Sequence, residues 1–102
     1  MNTIMIVDNK KDIQSQIRSM LDNDNFEVLS AENNRKAIEF MNINEDSIKL
    51  LLIDSFLPDT KTPALFSIKP NTKKTIDTSN PKDFLKKPFT KQELIDFVNS
   101  KV

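Results

Sequence analysis

Two stretches of the chain, "TIMIV" at 3–7 and "IKLLLI" at 48–53, are apolar almost without interruption, and each runs straight into an aspartate. A strand with one wet face alternates apolar and polar residues; an unbroken apolar run is the pattern of a strand covered on both faces. That is the strongest constraint on the fold. It calls for a sheet with helices packed above and below, and it leaves Asp8 and Asp54 as charged groups at strand exits.

The rest of the chain supplies such helices. After "DNKKD", Ile13, Ile17, Met20 and Leu21 recur at helical spacing and form one apolar stripe. "FEVLSA" (26–31) reads as a second strand, followed by a helix carrying Ala37, Ile38, Phe40 and Met41. "DFLKKPF" (83–89) reads as a short strand stopped by proline, and "TKQE" after it is a capping box in which Thr90 caps and Glu93 reaches back. Leu94, Phe97, Val98 and Val102 would then face the core. Strands alternating with helices predict one α/β domain over residues 1–102, with a parallel sheet and right-handed crossovers.

Residues 54–83 break this grammar. "PALFSI" (63–68) is a strand candidate, yet only eight residues separate it from Asp54, and a parallel crossover needs about a dozen or more. Two readings stay open. In one, "PALFSI" is strand four and the helix before it has been lost; in the other, "PALFSIK" is a remnant helix and "KTIDT" an edge strand turned by "SNPK" into strand five. Either way one helix is missing or withered. The exposed sheet face this leaves predicts an apolar patch near Leu65, Phe66 and Ile68, and with it dimerisation or a partner.

Composition narrows the chemistry. With no histidine, cysteine, tyrosine or glycine, the chain has no imidazole base, thiol, histidine-bound zinc or phosphate-cradling glycine loop. Fifteen basic residues balance fifteen acidic ones, so nothing biases the chain toward nucleic acid or an anionic membrane. The apolar runs are too short to cross a bilayer, and the lack of cysteine makes a reducing cytoplasm the default compartment.

In an open parallel sheet, ligands bind beyond the carboxyl ends of the strands. If the first, third and fifth strands lie side by side, Asp8, Asn9, Asp54 and Lys87 meet at one rim. Two carboxylates with a further oxygen donor suit Mg2+. A carboxylate beside a cation and an ammonium can act as nucleophile toward phosphorus, a reaction that needs positioning and charge neutralisation more than a base. Bland readings stand beside these: Asp8 as a helix cap, Asn9 as a turn residue, Lys86 as plain surface, Phe84 as core.

"IMIVDNKKDI", "LLLIDSFLPD" and "DFLKKPF" together resemble the three signature segments of bacterial response-regulator receiver domains, in the right order and across almost the whole chain outside 60–82. The resemblance implies a doubly wound, parallel, five-stranded flavodoxin-like fold, here with the helix after strand three missing and the fourth helix eroded. It implies Asp54 as phosphoacceptor, fed by a histidine kinase or phosphotransfer protein. It also implies a Mg2+ site at Asp8, Asn9, Asp54 and the Phe56 carbonyl, Lys87 as the phosphate-sensing lysine with a cis bond to Pro88, Ser67 as the hydroxyl residue, and Phe84 as a rotating aromatic switch. Such a module is no conventional enzyme: at most it takes up phosphoryl from a donor and slowly releases it, and its output is contact with a downstream protein. Asn9 departs from the second carboxylate of the family's acidic pair, which predicts weak Mg2+ binding and leaves a phosphorylation-independent pseudo-receiver as the alternative. An aspartate-nucleophile phosphatase of the haloacid dehalogenase type is disfavoured, because Phe56 stands where that family needs a second aspartate.

Overall fold

β1 (Asn2–Val7) pairs in parallel with β2 (Phe26–Ala31) on one side and with β3 (Ile48–Phe56) on the other. The computed structural model describes residues 2–22, 26–44, 47–70, 76, 78 and 83–102. The unbroken apolar runs have the predicted cause. Ile4, Ile6, Leu50 and Leu52 pack on one face of the sheet against Ile17 and Leu21 of α1 (Lys11–Leu21) and Leu94 and Val98 of α3 (Lys91–Lys101). Met5, Val7, Leu51 and Ile53 pack on the other face against Ala37 and Met41 of α2 (Asn34–Asn44). Alternate residues of one run therefore feed two separate core layers, so no position from Ile4 to Val7 can be polar without cost.

β4 (Pro63–Ile68) confirms "PALFSI" as a strand and removes the remnant-helix reading, but its direction corrects the all-parallel sheet. It runs antiparallel to β3, because residues 57–62 are too few to carry a parallel crossover and can only turn back. Inside that turn the Leu57 amide donates to the Thr62 carbonyl at 2.9 Å and the Lys61 amide to the Leu57 carbonyl at 2.8 Å. Lys61 takes a left-handed φ of 56°, which costs a residue with a Cβ about 1 kcal/mol and which a chain without glycine must accept. β3 consequently continues past Asp54 to Phe56, where β4 holds it.

β5 (Phe84–Lys86) is antiparallel to β4 and hence parallel to β1 and β3. The sheet, five-stranded among the described residues, has the order β2-β1-β3-β4-β5, compatible with a flavodoxin-like fold but mixed in direction. β4 ends at the edge from which β5 must start, so no crossover helix is required between them. The proposed "KTIDT" strand, the "SNPK" turn and the eroded fourth helix fall largely outside the described residues; Ile76 packs against the α2-side core layer.

The predicted exposed patch is overturned. Leu65 and Phe66 are fully buried and Ile68 is partly buried, because β4 is an interior strand: Leu65 enters the α1/α3 layer and Phe66 the α2 layer. Phe84 is 37% exposed at the sheet edge rather than core, and Val102 is exposed beyond the last turn of α3. The capping box holds: Thr90 Oγ1 accepts from the Glu93 amide and Glu93 Oε1 from the Thr90 amide, each at 3.1 Å.

Two measurements check this architecture. The Leu57–Thr62 bond makes Leu52–Ser67 and Asp54–Leu65 non-hydrogen-bonded pairs, so Hα–Hα nuclear Overhauser contacts are expected at both; a parallel β4 gives neither. Leu65→Ala is expected to cost about 2–5 kcal/mol in chemical denaturation, as for a core leucine, against a few tenths for a surface one.

Candidate functional site

Because β1, β3 and β5 share one direction, their carboxyl ends reach the same rim. Asp8 follows β1, Asp54 lies within the last turn of pairing on β3, and Lys87 follows β5. Parity puts all three on one face. Asp8 continues the Ile4–Ile6 side, Asp54 the Leu50–Leu52 side and Lys87 the Leu85 side, all of which belong to the α1/α3 layer. Lys86 points the other way and is exposed.

The expectation that the third and fifth strands are neighbours is corrected: β4 lies between them, a separation of roughly 10 Å at two strand spacings. Lys87 still donates its ammonium to Asp54 Oδ1, reaching across the start of β4. Its backbone is fixed there by a 2.9 Å bond from its amide to the Pro63 carbonyl. The bond from Lys87 to Pro88 is cis, as the resemblance implied. The side chains of Lys87 and Asp54 are 25% and 18% exposed, so this pair is more shielded than a surface ion pair yet open to an incoming ligand.

Asp8 is only 6% exposed. Its Oδ1 accepts from the Lys10 amide at 2.9 Å; its Oδ2 is buried and has no partner among the described residues. Burial raises its pKa above the ordinary carboxylate value, and the negative charge of Asp54 adds to the rise. The Lys10 amide and the Lys87 ammonium oppose it. The simple-cap reading fails, since Lys10 occupies the N-cap of α1 with no side-chain cap bond. An unpartnered buried carboxylate oxygen facing a second carboxylate is where a hard cation is stabilised most.

The other predicted ligands are arranged unevenly. Asp8, Asn9, Asp54 and Phe56 line one open cleft of about 670 Å³ at the rim. Asn9 is exposed there. Phe56 has its ring in solvent, but its partner on β4 is Pro63, which has no N–H to give; by the alternation of the ladder the Phe56 carbonyl faces away from β4, toward the β1 side. Among the described residues there is no cluster of three or more acidic, histidine or cysteine side chains, so any cation would rest on two carboxylates plus neutral oxygens.

Ser67 is not brought to the rim. It sits opposite Leu52, below the level of Asp54, because the reversed β4 presents its first residues at the rim and its last at the opposite edge. Pro63 occupies the rim position on Asp54's face. Thr60 and Thr62, the nearest hydroxyls in the turn, bond to each other at 2.7 Å.

Sequence reasoning also passed over Gln14. Its amide donates to the Asp8 carbonyl and, at 3.3 Å, to the Ala31 carbonyl. The available signal was a polar residue flanking the Ile13–Ile17 stripe in the first turn of α1, where the helix meets the strand ends.

Asp8→Asn keeps the acceptor for Lys10 and removes a buried charge. A carboxyl whose folded pKa is raised contributes stability that is full below the unfolded pKa near 3.8 and is lost as pH rises through the folded value. The variant is therefore expected to melt above the parent at neutral pH, with the gain vanishing below about pH 4 in calorimetry.

Over 58 residues the chain is 34% identical to "Transcriptional regulatory protein CpxR" of Klebsiella pneumoniae subsp. pneumoniae (strain HS11286). The match takes in 57% of this chain and 24% of that protein, so the matched part spans about a quarter of that protein's length. No family model matches the chain, and no solved structure matches it significantly. Among the described residues no helix is long and apolar enough to cross a membrane.

Proposed function

We propose that this chain is a receiver-type module of two-component signalling that accepts a phosphoryl group on Asp54. The observation that carries the reading is the Lys87–Asp54 ion pair set beside the buried, half-unpartnered Asp8 carboxylate. The partial similarity to a transcriptional regulatory protein supports it. In the reaction, a carboxylate oxygen of Asp54 attacks the phosphorus of a phosphohistidine on a histidine kinase or phosphotransfer protein. The new O–P bond forms as the P–N bond breaks, and the electron pair leaves on the imidazole nitrogen.

Asp8 and Asp54, with the Asn9 amide oxygen and the Phe56 carbonyl, would hold Mg2+; when bound it offsets the negative charge of the phosphoryl oxygens. Asn9 in place of a carboxylate lowers that affinity. Lys87 already sits on an Asp54 oxygen and has only to transfer its ammonium to the phosphoryl oxygens as they arrive. Output is contact with a downstream protein, or with a second copy of the chain.

A second reading is favoured by one feature, the reversal of β4. It removes Ser67 from the rim and puts Pro63 there, so β4 offers no hydroxyl beside Asp54 to follow a phosphoryl group. On this reading the chain is a pseudo-receiver that binds partners without phosphorylation. Incubation with acetyl phosphate and Mg2+, followed by intact-mass measurement, separates the two. A phosphoryl adduct that Asp54→Asn abolishes is expected; no adduct at millimolar donor establishes the second reading instead.

A further inference from the structure

We infer that Gln14 is a positioning residue for the acidic cleft, holding the Asp8 backbone so that its free carboxylate oxygen stays aimed at the place where a cation binds. The cation role rests on the function proposed above; the clamp itself does not. The parallel ladder between β1 and β2 ends with the Asp8 amide donating to the Ala31 carbonyl at 3.0 Å. The next rung would run from residue 33 to the Asp8 carbonyl. The chain has by then turned away, with the Asn33 side chain accepting from the Lys36 amide at the start of α2. The Asp8 carbonyl is thus left without a backbone donor among the described residues at a partly buried position, while the Ala31 carbonyl keeps the Asp8 amide and has a second lone pair free. The Gln14 amide carries two N–H groups and reaches both carbonyls, Asp8 and Ala31.

The Gln14 amide therefore replaces the missing rung and ties α1 to the ends of two strands. Its placement matters for Asp8 because the Asp8 amide is held by the Ala31 carbonyl, whereas the Asp8 carbonyl, which leads into the 8–10 turn, has only Gln14 among the described residues. The N-cap of α1 has no side-chain bond, and the Lys10 amide fixes the carboxylate rotamer through Oδ1 only. With the backbone held by Gln14 and one oxygen held by Lys10, the second oxygen stays buried and unpartnered. Without Gln14 the Asp8 carbonyl needs water, and the turn at residues 8–10 is free to carry the carboxylate outward.

The test compares parent, Gln14→Met and Gln14→Arg by amide hydrogen exchange in the metal-free protein and by Mn2+ binding read from the electron paramagnetic resonance of the free ion. Gln14→Met, which keeps length and loses both donors, is expected to speed exchange at the Asp8 amide about tenfold relative to Ile4 and Ile6, and to weaken Mn2+ about tenfold. Gln14→Arg, which restores N–H donors, is expected to recover most of both. Unchanged exchange at Asp8 in Gln14→Met, a uniform acceleration along all of β1, or no recovery in Gln14→Arg overturns the clamp; unchanged Mn2+ affinity in Gln14→Met overturns its role toward the cleft. A parent chain that takes up no Mn2+ overturns that role and the proposed cation site together, whereas the clamp stands or falls on the exchange pattern alone.

Discussion

The shortness of the connection between β3 and β4 governs the molecule. Six residues, 57–62, can turn a strand back but cannot lift the chain over a sheet face and return it in parallel, so β4 must reverse. That reversal has a second effect. β4 now ends at the edge where β5 begins, and the following link needs no crossover either. Losing one helical crossover removes the need for the next, and the two changes of direction cancel at β5. Lys87 consequently leaves the sheet at the same rim as Asp8 and Asp54, as it would in an all-parallel sheet. Had only one of the two connections changed, the lysine would have emerged at the far edge, about a strand length away.

The electrostatics of the rim follow from that geometry. Two carboxylates on one face of neighbouring strands repel, and burial of Asp8 sharpens the cost. The Lys87 ammonium offsets part of it from across β4, and the Lys10 amide another part. One oxygen of Asp8 is left without compensation. A charge distribution of this kind, open to solvent through the cleft beside Asn9 and Phe56, would be completed by a ligand that brings positive charge.

What the reversal removes is equally specific. A residue placed at the end of a parallel β4 would face Asp54; in the antiparallel strand Ser67 descends toward the opposite edge and Pro63 takes the rim. Interior placement of β4 also explains why Leu65 and Phe66, which look stranded once a helix is missing, are buried instead: the strand is bounded by β3 and β5, Leu65 packs in the α1/α3 layer, and Phe66 packs in the α2-side layer against which Ile76 also rests.

Much of this was legible in the residues themselves. Unbroken apolar runs at 3–7 and 48–53 can be stable only between two layers, and the stripes on α1 and α3 and the Thr90–Glu93 box place the helices, because burial periodicity and capping are local properties. The meeting of Asp8, Asp54 and Lys87 was also legible, since each stands at or within two residues of the end of a strand whose direction alone decides the rim it reaches. Direction of β4, the fate of Ser67 and Phe84, and the Gln14 clamp were not. A six-residue strand pattern reads the same in either direction, and whether its ends face the site or the opposite edge depends on which neighbours it pairs with. That pairing joins residues far apart in the chain, so only the tertiary structure decided it.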